Sequence, residues 1–434
     1  MAAMKLQHDR PVAPSRSYAL GLLVAVYTVN MIDRQILAIL GEPIRVEFAL
    51  SDGQLGLLTG FAFVLLYAVA GLPIAWAADR MSRRIILALS LAFWSAMTAV
   101  SGLSRSFEQL ALARLGVGLG EAGCGPPSHS LIADLYPAGE RARALGIYGL
   151  GIPIGTLFAL SGGGWIAAQF GWREALFVVG LPGLLLAVVV LKTLPEPQRG
   201  ATEDDARSSI ALPIAQSLRY LLQCKTFIHV AIGGALATGV GASIVIWAAP
   251  FLLRTHDMGL AQAGLMLGII AGIPGAVGMY CGGALADYFG ANDIRWRLQI
   301  VSVALILSCP FAIAAWLVPG RNLSLALLIV PFTLCTFFYQ ATSFAQIQSI
   351  SPLGMRATAA AALLLVMNIV GQGGGPLLVG LLSDQFYPYL GADSLRGALS
   401  VMSIFAIWAA WHYWRAGQHL AADYKGAIQH DMRH

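Results

Sequence analysis

Apolar residues run along this chain in long blocks that show neither a period of two nor a single helical face. Residues 18–29 and 181–191 are apolar on every side. A half-buried strand would alternate, and a surface helix would carry one apolar stripe. Twelve such stretches stand between polar, proline or glycine punctuation. They cover about 18–40, 54–77, 85–104, 107–132, 143–168, 175–192, 229–252, 261–285, 298–318, 323–346, 358–382 and 396–414. Each approaches the roughly 20 residues that carry a helix across a bilayer. The pattern predicts an all-α polytopic membrane protein with 12 transmembrane helices. The alternation of a membrane β-barrel is missing. Residues 1–16 carry no leader-cleavage pattern, and the first apolar run is long enough to remain as a span.

Composition sharpens this picture. Of 434 residues, 57% are hydrophobic and 11% charged, with mean hydropathy +0.71. A soluble domain carries about 25% charged residues, so a soluble enzyme is excluded. The five cysteines form no CxxC pair and have no clustered histidine. Neither a disulfide framework nor a metal site is expected. The net charge of +5 does not point to nucleic acid, because the basic residues sit in short loops. Nineteen Lys and Arg fall in the termini and the loops after even-numbered spans, and six fall in the other loops. By the positive-inside rule both termini are cytoplasmic. The absence of long glycosylated loops and lysosomal tail signals favours a bacterial inner membrane. A monomer surrounded by membrane lipid is expected.

The longest loop, 193–228, separates residues 17–192 from 229–415, with 1–16 and 416–434 as cytoplasmic ends. Within it Ile210, Ile214, Leu218, Leu221 and Leu222 recur at helical spacing, which predicts an amphipathic helix on the membrane surface. A repeat crosses this loop. The chain reads A-W-A-A-D-R-M-S-R-R at 75–84 and G-A-L-A-D-Y-F-G at 283–290. Two six-span halves with matching loops are a common transporter design.

These residues carry a resemblance. The segment 283–290 is similar to the major facilitator signature G-x-L-A-D-x-x-G. The copy at 75–84 keeps Asp79, Arg80, Arg83 and Arg84 but has Ala75 and Ser82 where glycine is usual. Arg114-x-Gly116-x-Gly118 and Gly149-x-Gly151-x-Pro153-x-Gly155 resemble that superfamily's fourth- and fifth-helix motifs. Two finer matches resemble the spinster branch of lipid transporters: Asn30, Asp33 and Arg34 in span 1, and residues 114–123 with 130–136. Organic-anion:proton symporters of the same superfamily share part of this pattern. The resemblance implies a major facilitator fold with two halves of inverted 3+3 repeats, working by alternating access. It also implies that Asp79 pairs across the halves when the transporter is open outward, with Arg80, Arg83 and Arg84 beside it and Asp287 as its repeat counterpart.

Charges inside the spans are few. A charged group at the bilayer centre costs about 2.5–3.5 kcal/mol or more, so each asks for a reason. Span 1 holds Asp33 and Arg34, and span 4 holds Arg114 and Glu121. The second half offers neutral polar groups instead, among them Thr238, Tyr339, Asn368 and Gln372. Helical rise places Asp33 and Arg114 at a similar depth and Glu121 about 10 Å deeper. A carboxylate in a low-dielectric cavity favours its neutral form, and a nearby Arg draws it back to the anion. Asp33 and Glu121 are therefore the candidate proton-coupling groups. Arg34 and Arg114, without fixed partners, suit an anionic headgroup. Buried ion pairs also simply tie helices together. Candidate cavity-lining residues are Asn30, Ser128, Trp247, Phe337, Tyr339, Asn368 and Gln372. His129 beside Ser128 suggests no hydrolase, since adjacent helical residues diverge; packing or cavity lining is expected.

The expected function is proton-coupled secondary transport of an amphiphilic lipid, of lysolipid or sphingoid-phosphate type. The alternative is a proton-coupled carrier of an organic anion or drug. No cofactor is expected beyond the proton gradient, and no enzymatic chemistry.

Overall fold

The computed structural model describes residues 16–78, 80–198, 214–318, 323–352 and 355–433, and no strand occurs among them. Span 1 is α1 (Arg16–Phe48). Span 2 joins α2 (Asp52–Gly56), a π-helical turn at Leu57–Phe61 and α3 (Ala62–Ala78). Span 3 is α4 (Arg83–Ser101). Span 4 breaks into α5 (Phe107–Glu121) and α6 (Gly125–Leu135). Span 5 is α7 (Ala138–Gly149), α8 (Gly151–Leu157), a π-helical turn at Phe158–Gly162 and α9 (Gly163–Phe170). Span 6 is α10 (Trp172–Thr193).

A short α11 (Ile214–Gln223) precedes the second half. There the spans are α12 (Lys225–His256), α13 (Leu260–Gly290) and α14 (Trp296–Leu317). Span 10 is α15 (Leu323–Thr336) followed by α16 (Tyr339–Ser349). Span 11 is α17 (Arg356–Val366), a π-helical stretch at Met367–Gly373 and α18 (Gly374–Leu390); span 12 is α19 (Ser394–Arg433).

Among the described residues, ten helical stretches are long and apolar enough to cross a membrane. The other two crossings have local causes. Pro126 and Pro127 at the start of α6 withhold two backbone donors, so span 4 cannot continue as one ladder. The run from Thr358 to Gln429 contains two spans, because it folds back at Gly391, where φ is +54°. Glycine adopts that conformation without strain.

Twelve crossings return the chain to its starting side, here called the terminal end. At the opposite, distal end one apolar core takes side chains from both halves, including Ile36, Leu58 and Leu160 with Trp247, Phe251 and Leu267. At the terminal end there are two cores. One holds Leu23, Leu91, Trp94 and Leu131; the other holds Val230, Leu298, Leu363 and Tyr413. The halves meet distally and part towards the terminal end, leaving a cleft open on that side. Their distal contact is close: a Cβ on Gly56 would lie 2.6 Å from the Pro376 carbonyl oxygen. The predicted amphipathic helix forms over 214–223, while Ile210 lies outside the described residues. Leu221 docks into the second terminal core, and Ile214 and Leu222 stay exposed. The helix is thus anchored to the second half as well as amphipathic.

Candidate functional site

Four charges of the first half converge beside the cleft. Asp33, Arg114 and Glu121 are 0%, 2% and 1% exposed. Their pairing differs from the simplest expectation. Arg114 donates from Nη2 to the backbone carbonyl of Asp33 at 3.2 Å, not to its carboxylate. Both Asp33 carboxylate oxygens are buried without a hydrogen-bond partner, as are Nε and Nη1 of Arg114. Arg34 is not free. Its Nε and Nη2 both donate to Oε2 of Glu121, each at 3.2 Å. The long side chain of Arg34 bridges the depth difference between the acids. Asn30, one turn earlier on α1, approaches the same carboxyl group.

Aromatic groups complete this site. The Arg34 guanidinium lies 4.7 Å from the Tyr67 ring centroid and 5.1 Å from that of Phe63. Arg114 sits on Phe63 at 5.9 Å. One span-2 ring is therefore shared by both cations, an attractive arrangement where water is scarce. Trp94 and Thr98 of α4 face the Asp33 carboxyl group but stop short of hydrogen-bond geometry. Sequence reasoning missed these four. A Trp and a Thr one helical turn apart in an apolar run was the available signal. Tyr27 stacks on Tyr148 at 4.5 Å, and exposed His129 meets the edge of Tyr148 at 5.5 Å.

The remaining lining candidates divide. Phe337 is half-buried on an apolar pocket with Leu160, Val245, Leu267 and Ile329. Asn368 and Gln372 are half-buried on the π-helical stretch of span 11. Trp247 is fully buried in the distal core, where its Nε1 donates to the Pro376 carbonyl at 2.9 Å. It ties α12 to α18 and does not face the cleft. Ser128 is also fully buried, its hydroxyl spent on the Cys124 carbonyl at 2.7 Å. Tyr339 is 4% exposed, and its phenol oxygen accepts from Thr238 at 3.1 Å.

Of the terminal-end cluster, Asp79 lies outside the described residues. Arg83 does not reach the other half. It is 1% exposed and holds Asp134, the Ser130 hydroxyl at 3.0 Å and Glu196 at 2.9 Å. It therefore anchors α4 to α6 and to the segment after α10. Burial alone would raise Glu196, but the Ser82 hydroxyl, the Arg84 amide and Arg83 together hold it below the usual carboxylate range. Arg84 reaches back to the Leu194 carbonyl at 3.5 Å. Arg80 lies over the Trp76 ring at 4.1 Å, and Asp287 is exposed at the end of α13.

The distal end carries a charge cluster that the sequence reading treated only as loop charge. Arg254 of α12 donates to Glu42 at 2.7 Å and to Asp52 at 2.9 Å, both in the first half. Ser383 donates to Asp52 at 2.7 Å. The Asp384 carboxylate accepts the amides of Asp52 and Gly53 at 2.9 and 2.8 Å. These bonds close the distal side across the two halves.

The sequence profile of the Major Facilitator Superfamily matches residues 23–376. An MFS-type efflux pump of Mycolicibacterium smegmatis is 34% identical over 402 residues, covering 92% of each chain. Protein spinster homolog 1 of Bos taurus is 28% identical over 384 residues, covering 84% of this chain and 72% of its own length. A solved bacterial homologue of the human lysosomal transporter spinster, inward-facing and unoccupied, superposes with a TM-score of 0.86 at 30% identity. The match covers 94% of this chain and 98% of that one.

Proposed function

This chain belongs to the major facilitator superfamily, and from that premise we propose that it is a proton-coupled carrier of an amphiphilic lipid bearing an anionic headgroup. It is a multi-pass transporter with spinster-like similarity, not an enzyme. The terminal end faces the cytoplasm of a bacterial cell in this reading, and the protein works as a monomer in the inner membrane.

The observation that carries the reading is the unequal pairing of the four clustered charges, three of them buried and Arg34 half-buried. Arg114 keeps two unpartnered donors, and Arg34 is committed to Glu121. An incoming phosphate or carboxylate competes for both guanidinium groups, since paired hydrogen bonds from Arg fit such oxyanions. Drawing Arg34 away leaves Glu121 buried without its cation, and a proton takes the cation's place. Return of Arg34 releases that proton. Asp33, buried without a hydrogen-bond partner, is the second loading group. The apolar wall around Phe337, where Leu160 of the first half meets the second half, is the surface along which the chain of the lipid packs.

A drug or organic anion is the second reading, favoured by the name of the M. smegmatis relative. Flux of lysolipids and of small organic anions into proteoliposomes, with and without a pH gradient, separates the two. Gradient-dependent lysolipid flux supports the lipid reading; flux of short anions alone replaces it.

A further inference from the structure

Three histidines meet at the terminal end of the second half, far from the central charges. His229 lies one turn into α12, and His412 and His419 lie seven residues apart on one face of α19. The Nδ1 atoms of His229 and His412 are 3.0 Å apart and share a hydrogen bond. The His229 ring also stacks parallel to His419, at 6.0 Å and 6°. Close packing fixes the groove between the helices: a Cβ on Gly233 would come within 3.1 Å of the His412 Cβ.

The chemistry of this groove is unbalanced. In a shared Nδ1 bond one neutral ring accepts, and that ring carries its own proton at Nε2. The pair therefore presents at least one N–H donor beyond its mutual bond. His412 is 6% exposed and His229 is half-buried, so this donor sits where the packed helices open towards the bilayer. Exposed Lys225 and Arg415 bear electrostatically on His229. The acid at this spot, Asp423, is committed to the Thr226 amide at 2.8 Å, where it caps the start of α12. Tryptophans mark the membrane level. Trp411 meets His229 and His412 edge-on at 5.7 and 4.8 Å, and Trp408 and Trp411 are each about half exposed. Such amphipathic rings settle at the headgroup depth of a bilayer.

We propose that the groove between α12 and α19 binds the phosphate of an anionic phospholipid from the surrounding leaflet on the terminal side. The imidazole pair, His419, Lys225 and Arg415 hold the phosphate, and Trp408 and Trp411 flank the upper acyl chain. Basic pockets between transmembrane helices recognise lipid headgroups in this way. The site lies apart from the transport cleft and does not depend on which substrate the cleft carries.

The test compares phosphatidylglycerol with phosphatidylcholine, read by native mass spectrometry of lipid retained on the purified full-length protein. Wild type should retain phosphatidylglycerol preferentially. Lys225→Gln and Arg415→Gln, both at exposed positions, should each lower that preference about fivefold, and adding His419→Gln should lower it further. In the control pair, Arg105→Gln and Arg143→Gln each remove the same single charge from exposed positions in the other half and should leave the preference intact. No preference in wild type, an unchanged preference in the groove variants, or an equal loss in the control pair would each overturn the proposal. So would full thermal stabilisation of the detergent-solubilised protein by inorganic phosphate alone, which would make the groove a simple anion site.

Discussion

Arg254 and Asp52 lie in different halves of the protein and meet at 2.9 Å, with side chains 20% and 9% exposed. The contact has a conformational meaning, because it exists only while the distal ends are together. Glu42 accepts from the same guanidinium, and Asp384 returns the tie from the second half to the Asp52 amide. A cleft open at the terminal end thus coexists with a charged clasp at the distal end.

The clasp gives the first prediction. Arg254→Gln takes the cross-half cation away from both acids, leaving Glu42 with Arg45 and Asp52 with Ser383, and should destabilise the distally closed state. Exposed pairs are worth up to about 1 kcal/mol, and breaking a buried one costs about 3–5 kcal/mol. This pair lies between, so the population ratio should shift at least tenfold towards distal opening. Spin-label distances across the distal ends of α1 and α12 should lengthen. Unchanged distances would reduce the clasp to a surface ornament.

Arg34 and Glu121 give the second. Arg34→Gln alone leaves a fully buried carboxylate without its cation, a change that costs about 3–5 kcal/mol when such pairs are broken. The double variant Arg34→Gln/Glu121→Gln should recover much of that loss, a coupling visible in thermal unfolding in detergent. Separately, Glu121→Gln and Asp33→Asn should each abolish gradient-driven flux while the protein still inserts. Full proton-driven flux in both would remove these acids from the coupling.

Acidification tests the Arg83 anchor. Glu196 is held below its ordinary value of 4.5. A depressed carboxyl contributes stability that is present above the unfolded value and lost as pH falls through the folded one. The Arg84 amide donates to Glu196 at 2.8 Å. Its hydrogen exchange, corrected for intrinsic pH dependence, should be slow near neutrality and accelerate below pH 4.5. Glu196→Gln should lose that pH dependence. A native profile that is flat through the acid range would argue against the anchor.

What the sequence disclosed follows from how far each signal reaches. The twelve spans were legible because lipid demands apolar surface on all sides of a helix. Even the broken span 4 was half legible, since Pro126 and Pro127 announce a weak ladder. The four clustered charges stood out because charge inside an apolar run is expensive. Their partners did not, because partner choice depends on helix rotation and side-chain reach. Arg34 passes its own neighbour Asp33 to reach Glu121. The distal clasp was hidden for another reason. Arg254, Glu42 and Asp52 sit near span ends, where charge reads as topology, and only the meeting of the halves makes them a unit. Trp247 misled because a tryptophan in a span looks the same whether it lines a cleft or fills a core.

The division of labour between the halves can be tested on a single ligand series. If Arg114 and Arg34 take the headgroup while the apolar wall at Phe337 packs the chain, the two contributions separate by mutation. Arg114 has two unpartnered donors, so Arg114→Gln removes charge-assisted bonds worth about 1.5–3 kcal/mol from an anionic amphiphile. A neutral amphiphile of the same length should lose far less. Phe337→Ser acts on the other end. It should weaken long-chain ligands more than short ones, by up to about 0.8 kcal/mol for each CH₂ that leaves that wall. Trp247→Ser should behave differently from Phe337→Ser, because Trp247 is buried against Pro376 and not on the pocket wall. Its loss should lower thermal stability and distal closure without altering the slope of affinity against chain length. Binding of a homologous series from short to long chains, measured on wild type and these three variants, reads all of this together. A wild-type affinity that does not rise with chain length would sink the lipid reading and leave the same arginines holding a small anion.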